Sequence, residues 1–265
     1  MSSTGGLKAR YHGHLWTRLE IWLRVLFKFL VSLFIIQCGL DVEDPTPPSP
    51  PIWAQKSLPE VWPERGIDAH ESGAILLEWE DSDDDVFAHI IYRATQTFSS
   101  ENLDDYVKLV RVETGLLNPT VYIDNFIETR IRYYYRLRSE DSSGNQSELS
   151  EPRSYMILPQ VQLYGMSPNG QTAKLPANRV LSWLDSYSLE LENYIVSIVN
   201  QEYQLIYRRS IQPSNYLGEK YYFKIPEEIN LVSGMIYNWR IDVGANHQAG
   251  RETTGSESPW GTFQF

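Results

Sequence analysis

Four aspartates, Asp81, Asp83, Asp84 and Asp85, crowd into five positions, and carboxylate oxygens at that density are what a calcium ion requires. The segment lacks a central glycine to turn a ligand loop and a matching bidentate glutamate, so it reads as a solvated acidic turn holding no metal. Asp81 recurs as Asp185, which points to a turn-forming side chain that bonds nearby backbone donors. Beyond residue 38 the histidines are His70, His89 and His247, no two of them at ligand spacing for zinc and none placed to converge in a serine triad. His89 falls in an alternating stretch and is expected at the surface. Neither a Gly-rich phosphate loop nor a paired-cysteine motif occurs. The expectation is therefore a chain with no catalytic residues and no cofactor. Aromatic faces flanked by Asp and Asn suit sugar stacking, but strand alternation turns every second ring inward. That assigns Tyr133, Tyr135 and Trp239 to cores and leaves Tyr134 and Trp260 as candidate binding positions.

The 265 residues are 42% hydrophobic, enough to fill the cores of two small domains. Charge is uneven. Residues 1–37 carry five basic residues and one acid, so a segment of +4 precedes a remainder of −15. So acidic a body repels phosphate backbones and anionic lipid, which argues against a nucleic-acid partner. Cys38 stands alone, so no internal disulfide is available and packing must hold the domains.

Lys8, Arg10, Arg18, Arg24 and Lys28 precede an apolar run, Phe29 to Ile36, relieved by Ser32. A basic stretch followed by a short apolar core is the layout of a secretory signal. Leu33 to Cys38 resembles a bacterial lipoprotein signal, which implies a diacylglyceride on Cys38 as the first residue of the mature chain. Gln37 departs from that pattern, where a small residue is usual. Two other readings stay open: an uncleaved membrane helix over Ile21 to Leu40, with Arg24 and Lys28 snorkelling, and ordinary cleavage. Asp41 to Pro51 then holds five prolines in 11 residues, an extended polyproline II spacer that would lift the next domain about 30 Å from Cys38. Its acids Asp41, Glu43 and Asp44 are similar to signals that carry some lipoproteins to the cell surface.

The rest of the chain repeats itself at an offset of 104 residues: Leu77, Trp79, Asp81 and Ser82 recur as Leu181, Trp183, Asp185 and Ser186, and Tyr133, Arg136 and Leu137 as Tyr237, Arg240 and Ile241. The repeat is a duplicated domain of about 100 residues. Beyond residue 60 short alternating runs recur between turn signals, and no stretch keeps a helical period. The class is all-β. Strands are expected around Ile75–Trp79, His89–Arg93, Tyr106–Val112, Val121–Ile123, Tyr133–Leu137 and Tyr155–Ile157. In the second repeat a hairpin is expected around Asn200-Gln201, with a closing strand begun by Trp260 and filled by Phe263. About seven strands in the first repeat is the count of an immunoglobulin-like sandwich, and the second repeats it with a departure in its middle.

These residues resemble the fibronectin type III domains. Trp79 and Trp183 match the family's second-strand tryptophan. Ile127 six residues before Tyr133, and Leu231 six before Tyr237, match its turn into the sixth strand. The resemblance implies a tyrosine corner, in which the hydroxyls of Tyr133 and Tyr237 bond backbone of the preceding loop. The expected organisation is a signal or anchor at 1–37, a Pro-rich tether at 38–64, and fibronectin type III-like domains at 65–158 and 159–265. The expected protein is a bacterial lipoprotein of the cell envelope. Its outer-membrane or surface location is favoured over the periplasmic side, the membrane being held through Cys38 and the sandwiches acting as spacer or as binder of a protein or glycan. Alternatives are an accessory carbohydrate-binding component of a hydrolytic complex and an inner-membrane-anchored periplasmic interaction protein.

Overall fold

The computed structural model describes residues 45–56, 65–81, 83, 85–95, 106–114, 120–185, 193–212, 220–245 and 254–265. Cys38, the signal or anchor at 1–37, Trp62, Ser82, Asp84, Ser186 and His247 lie outside them, and the account that follows concerns the unit from Thr46 to Phe265. Every regular element among the described residues is a strand, as the alternation predicts.

The first repeat contributes eight strands: β1 (Ile52–Trp53), β2 (Ile67–Ala69), β3 (Ile75–Glu80), β4 (Val86–Ala94), β5 (Val107–Glu113), β6 (Val121–Asp124), β7 (Arg132–Asp141) and β8 (Arg153–Ile157). In one sheet β1, β2 and β6 all pair with β3, and in the other the order is β5-β4-β7-β8. Period-2 alternation decides what lies between them. Ile75, Leu77 and Trp79 point inward from β3 and meet Ile91, Tyr133, Tyr135, Leu137, Tyr155 and Ile157 in one buried cluster.

The second repeat contributes β9 (Gln162–Ser167), β10 (Val180–Leu184), β11 (Asn193–Val199), β12 (Leu205–Ile211), β13 (Lys220–Lys224), β14 (Ile236–Ala245), β15 (Thr254–Glu257) and β16 (Gly261–Gln264). Its small sheet runs β13-β10-β9, and β12, β11 and β14 form the other layer with β15 and β16 sharing one edge of β14. A separate buried cluster fills it, built on Leu181, Trp183, Tyr194, Val196, Trp239, Ile241 and Phe263. Both repeats are fibronectin type III-like β-sandwiches.

Two features depart from the sequence reading. First, the span 38–64 is not all tether: Trp53 is buried against Trp79 as its cross-strand neighbour and donates its indole N–H to the Glu151 carbonyl at 2.6 Å. Pro48 and Pro51 are buried with it. A large ring with a satisfied polar tip gains more from the core than from water, and this draws the chain in ahead of residue 65. Gly66 then turns the backbone at φ +77, where a Cβ would sit 2.5 Å from the Glu78 carbonyl oxygen.

Second, the two sandwiches share a sheet. β15 pairs in parallel with β8, Thr254 opposite Met156 and Gly255 opposite Ile157, and the Leu158 N–H extends the ladder to the Gly255 carbonyl at 2.8 Å. The result is a nine-stranded sheet crossing both cores. Gln160 fastens the junction, its side-chain amide donating to the Glu71 carbonyl at 2.7 Å and the Glu257 carbonyl at 2.6 Å. Arg132 reaches from β7 to the Thr254 hydroxyl at 2.8 Å. The short Leu158-Pro159 link is thus held in a ladder.

Candidate functional site

The recurring landmarks occupy matching positions. Trp79 and Trp183 are both buried, and each takes the edge of one ring from the next strand: His89 at 5.2 Å and 68°, Tyr194 at 5.3 Å and 72°. Register proves the match, because His89 lies two residues before Ile91, which faces Leu137, and Tyr194 two before Val196, which faces Ile241. The preceding aspartate completes each unit. Asp81 Oδ1 lies 2.7 Å from His89 Nε2, and the Tyr194 hydroxyl donates to Asp185 Oδ2 at 2.8 Å. Asp81 and Asp185 recur because each secures the ring that packs on the tryptophan, a role the turn reading did not supply.

His89 corrects the expectation of a surface position: it is fully buried. The signal was present in the sequence, since His89 shares strand parity with the core residue Ile91. Burial pushes its pKa down, with the Asp81 carboxylate opposing that shift. Burial likewise pushes the Tyr194 phenol up, reinforced by the Asp185 charge, so that ring stays neutral.

Both tyrosine corners form as the resemblance implies. The Tyr133 hydroxyl accepts the Glu128 N–H at 2.9 Å, and the Tyr237 hydroxyl accepts the Val232 N–H at 2.9 Å. The acidic turn resolves into separate duties: Asp81 serves His89, and Asp83 accepts the Ser49 N–H, a bond that lowers its pKa. Among the described residues no three His, Cys, Asp or Glu side chains gather as a metal site.

The two candidate binding rings lie on different sandwiches. Tyr134 is half-buried on the outer face of β7, opposite Ala94 and Ser154. Trp260, also half-buried, stands just before β16 with the Arg240 guanidinium 4.9 Å from its ring centre and the Tyr203 edge at 5.8 Å. Arg240 is itself clamped by Asp242 at 2.9 Å and Glu257 at 2.5 Å. Burial works against the Arg240 charge, but these carboxylates raise its pKa overall. One side of Trp260 is therefore occupied by its own protein.

A concavity that sequence reasoning missed opens in the second sandwich between β12 and β13. It measures about 430 Å³, with Trp183, Tyr194 and Tyr221 at its base and Arg209, Ser210, Gln212 and Lys224 around it. Tyr221 stacks on Trp183 at 5.9 Å and 14°. The Trp183 indole N–H is buried and finds no acceptor among the described residues. No motif announces this site, because it is assembled by four successive strands, β10 to β13, whose mutual placement no local pattern specifies.

Among solved structures the chain is similar to the FN1–FN3 domains of chicken CNTN1, over 82% of this chain and 68% of that one, at 12% identity and a TM-score of 0.34. It is also similar to the pectate lyase Pel3 of Pectobacterium carotovorum in two crystal structures, at 14% and 15% identity and TM-scores of 0.28 and 0.29. Those matches cover 40% and 41% of this chain and 29% and 32% of that enzyme, so the chain spans less than a third of the pectate lyase. No family model and no curated protein matches the chain.

Proposed function

We propose that this is a non-enzymatic, lipid-anchored protein of a bacterial cell envelope, which holds two sandwiches in a set arrangement and offers their surfaces to a protein or glycan. The observation that carries the presenting role is the β8–β15 ladder. Two sandwiches joined by a flexible linker sample many poses, and a partner that bridges both must offset that freedom. Strand pairing, Gln160 and the Arg132–Thr254 bond remove it beforehand. The anchor rests on the sequence alone: a basic segment, an apolar run and Cys38, followed by prolines. Several acyl chains, at about 0.8 kcal/mol per buried CH₂, would hold such a protein firmly where one chain is marginal.

The anchor is tested by growing cells with labelled palmitate. Cys38→Ala should abolish incorporation and release the chain from the membrane fraction, whereas label persisting in the variant overturns lipidation. Protease shaving of intact cells then separates a surface location from a periplasmic one. The presenting role is tested by pull-down from native envelope. A partner captured by the intact chain and lost when the Gln160 junction is cut supports it, and capture indifferent to that junction counts against it.

A further inference from the structure

The outer face of the first sandwich carries a charge opposite to that of the chain around it. Tyr133, Tyr135 and Leu137 turn inward from β7, so Arg132, Tyr134, Arg136, Arg138 and Glu140 line its outward side. Register places Arg138 beside Ile90 and Arg136 beside Tyr92 on β4, with Arg111 and Lys108 of β5 across from the same two residues. Glu113 and Glu140 lie across from Ala88. Five bases thus meet two acids on the outward sides of β4, β5 and β7, whereas residues 65–158 hold nine bases and eighteen acids. Both of those acids are taken by Arg111, Glu113 at 2.7 Å and Glu140 at 2.7 Å. Arg136 and Arg138 are left side by side, about 7 Å apart at alternate positions of one strand. Among the described residues neither makes an ion pair or a hydrogen bond: each Nε is buried without an acceptor, and the terminal nitrogens are the ones that reach water. Arg136 lies over the Tyr106 ring at 6.0 Å, a contact that brings no anion to it.

Covering the sheet does not account for that pair. Ile90 is fully buried although it points outward, and arginine stems laid over it keep it dry while their heads stay wet. The second sandwich meets the same need with paired charge. Ile195 holds the position of Ile90 and is also buried, Arg240 holds that of Arg136, and Asp242 that of Arg138. Arg240 is clamped there by Asp242 and Glu257. Where that repeat sets an aspartate, the first sets a second guanidinium, and like charges so close oppose folding. An anion from outside the chain relieves them. Its shape is narrowed by the remaining charge: a body of −15 beyond residue 37 repels a bilayer, a nucleic acid or any broad anionic surface, so the anion must be slender enough to touch this face alone. An extended peptide fits, because its alternate side chains lie on one face at the same spacing of about 7 Å. Arginine and tyrosine, here with Tyr92 and Tyr134 alongside, are the types in which protein interfaces are enriched.

We propose that this face docks an extended acidic segment of a partner protein, laid along β7 with alternate carboxylates on Arg136 and Arg138. The proposal rests on the presenting role above and names the face and the chemistry of the partner. The test uses the full-length chain in detergent, titrated into a fluorescent peptide of alternating glutamate and serine and read by anisotropy. A peptide of alternating glutamine and serine is the uncharged control, and polygalacturonate stands for an acidic glycan. The glutamate peptide should bind saturably, and more weakly as salt rises. Arg138→Gln should weaken binding about fivefold, the upper range for one exposed ion pair. Arg138→Asp, which installs the residue of the second repeat and gives Arg136 a partner of its own, should abolish it. Arg209→Gln, which removes an exposed guanidinium from the second sandwich, should leave it unchanged. Indole fluorescence without peptide reports the fold of each variant, and Arg138→Gln keeps an aliphatic stem over Ile90. No saturable binding, binding undiminished in both Arg138 variants, an equal loss in Arg209→Gln, or tighter binding of polygalacturonate would each overturn the proposal. Its failure leaves the Cys38 and envelope pull-down results untouched, so the two readings fall separately.

Discussion

The two repeats solve one packing problem with different chemistry. Each must seat a buried indole beside the following strand, and each uses an aspartate-held ring to do it. In the first repeat the ring is His89 and Asp81 remains 21% exposed. In the second the ring is Tyr194 and Asp185 is 5% exposed. The consequences differ because imidazole titrates near neutrality and phenol does not. The geometry is kept while the rings differ, a titratable imidazole in the first sandwich and, in the second, a phenol that burial holds neutral. The flanks differ as well, with Val110 and Val112 packed on the first core where the second repeat has Arg209 and Ile211 in matching register.

The largest effects should come from the indoles themselves. Trp79→Ala and Trp183→Ala each remove a buried ring, at about 3–5 kcal/mol. If the cores are as separate as their contacts, hydrogen exchange should rise through the core strands of the altered sandwich while those of the other stay protected. Uniform loss of protection in both would show that the shared sheet makes them one folding unit. Next comes the polar pair. Tyr194→Phe strips a hydrogen bond from a buried carboxylate, worth about 1.5–3 kcal/mol. His89→Phe should cost less at neutral pH, because the exposed side of Asp81 can turn to water. Chemical denaturation of the two variants gives the ranking, and a reversed order would break the assignment.

Acid should then separate the repeats. The folded pKa of His89 is depressed by burial, so the unfolded chain binds its proton more readily. Its stabilising contribution is complete above the unfolded value of about 6.5 and is lost as pH falls from there through the folded value. The first sandwich should therefore lose stability below that point, and His89→Tyr, which installs the ring of the second repeat, should flatten the dependence. Hydrogen exchange in β3 and β7 against pH reads this directly. An acid profile unchanged by His89→Tyr would rule the histidine out as its source.

Much of this was legible because alternation and duplication are local signals. Trp79, Tyr133, Trp183 and Tyr237 could be placed from spacing, and the strands around them from period-2 runs between turns. The parity of His89 with Ile91 marks it as inward while its polarity argues for the surface, and the aspartate that partners it cannot be seen from one strand. Trp53 was assigned to a proline-rich approach because prolines dominate that composition, while its burial depends on Trp79, 26 positions away. The β8–β15 pairing and the cleft beside Arg209 were out of reach for a related reason. Neither the partner of an edge strand nor the spacing between neighbouring strands is written in a local pattern.

The smallest effects test whether the repeats are equivalent where they look identical. Gln160→Ala removes two bonds to backbone carbonyls at the junction, and each is worth about 1 kcal/mol. Scattering in solution should then show a broader distribution of shapes, with each core intact by indole fluorescence. The tyrosine corners come last. Glu128 and Val232 each lose an N–H acceptor when Tyr133 or Tyr237 becomes Phe, the rings staying in place, so each change should cost about 1 kcal/mol. Both corner bonds are 2.9 Å long and both rings are nearly buried, so the two losses should agree within the error of a denaturant titration. Unequal losses would place the divergence of the repeats in the loops as well as in the rings beside the tryptophans. Equal losses confine it to strand positions such as the Asp–ring pair and the Val110/Arg209 position, where the second sandwich departs chemically from the first.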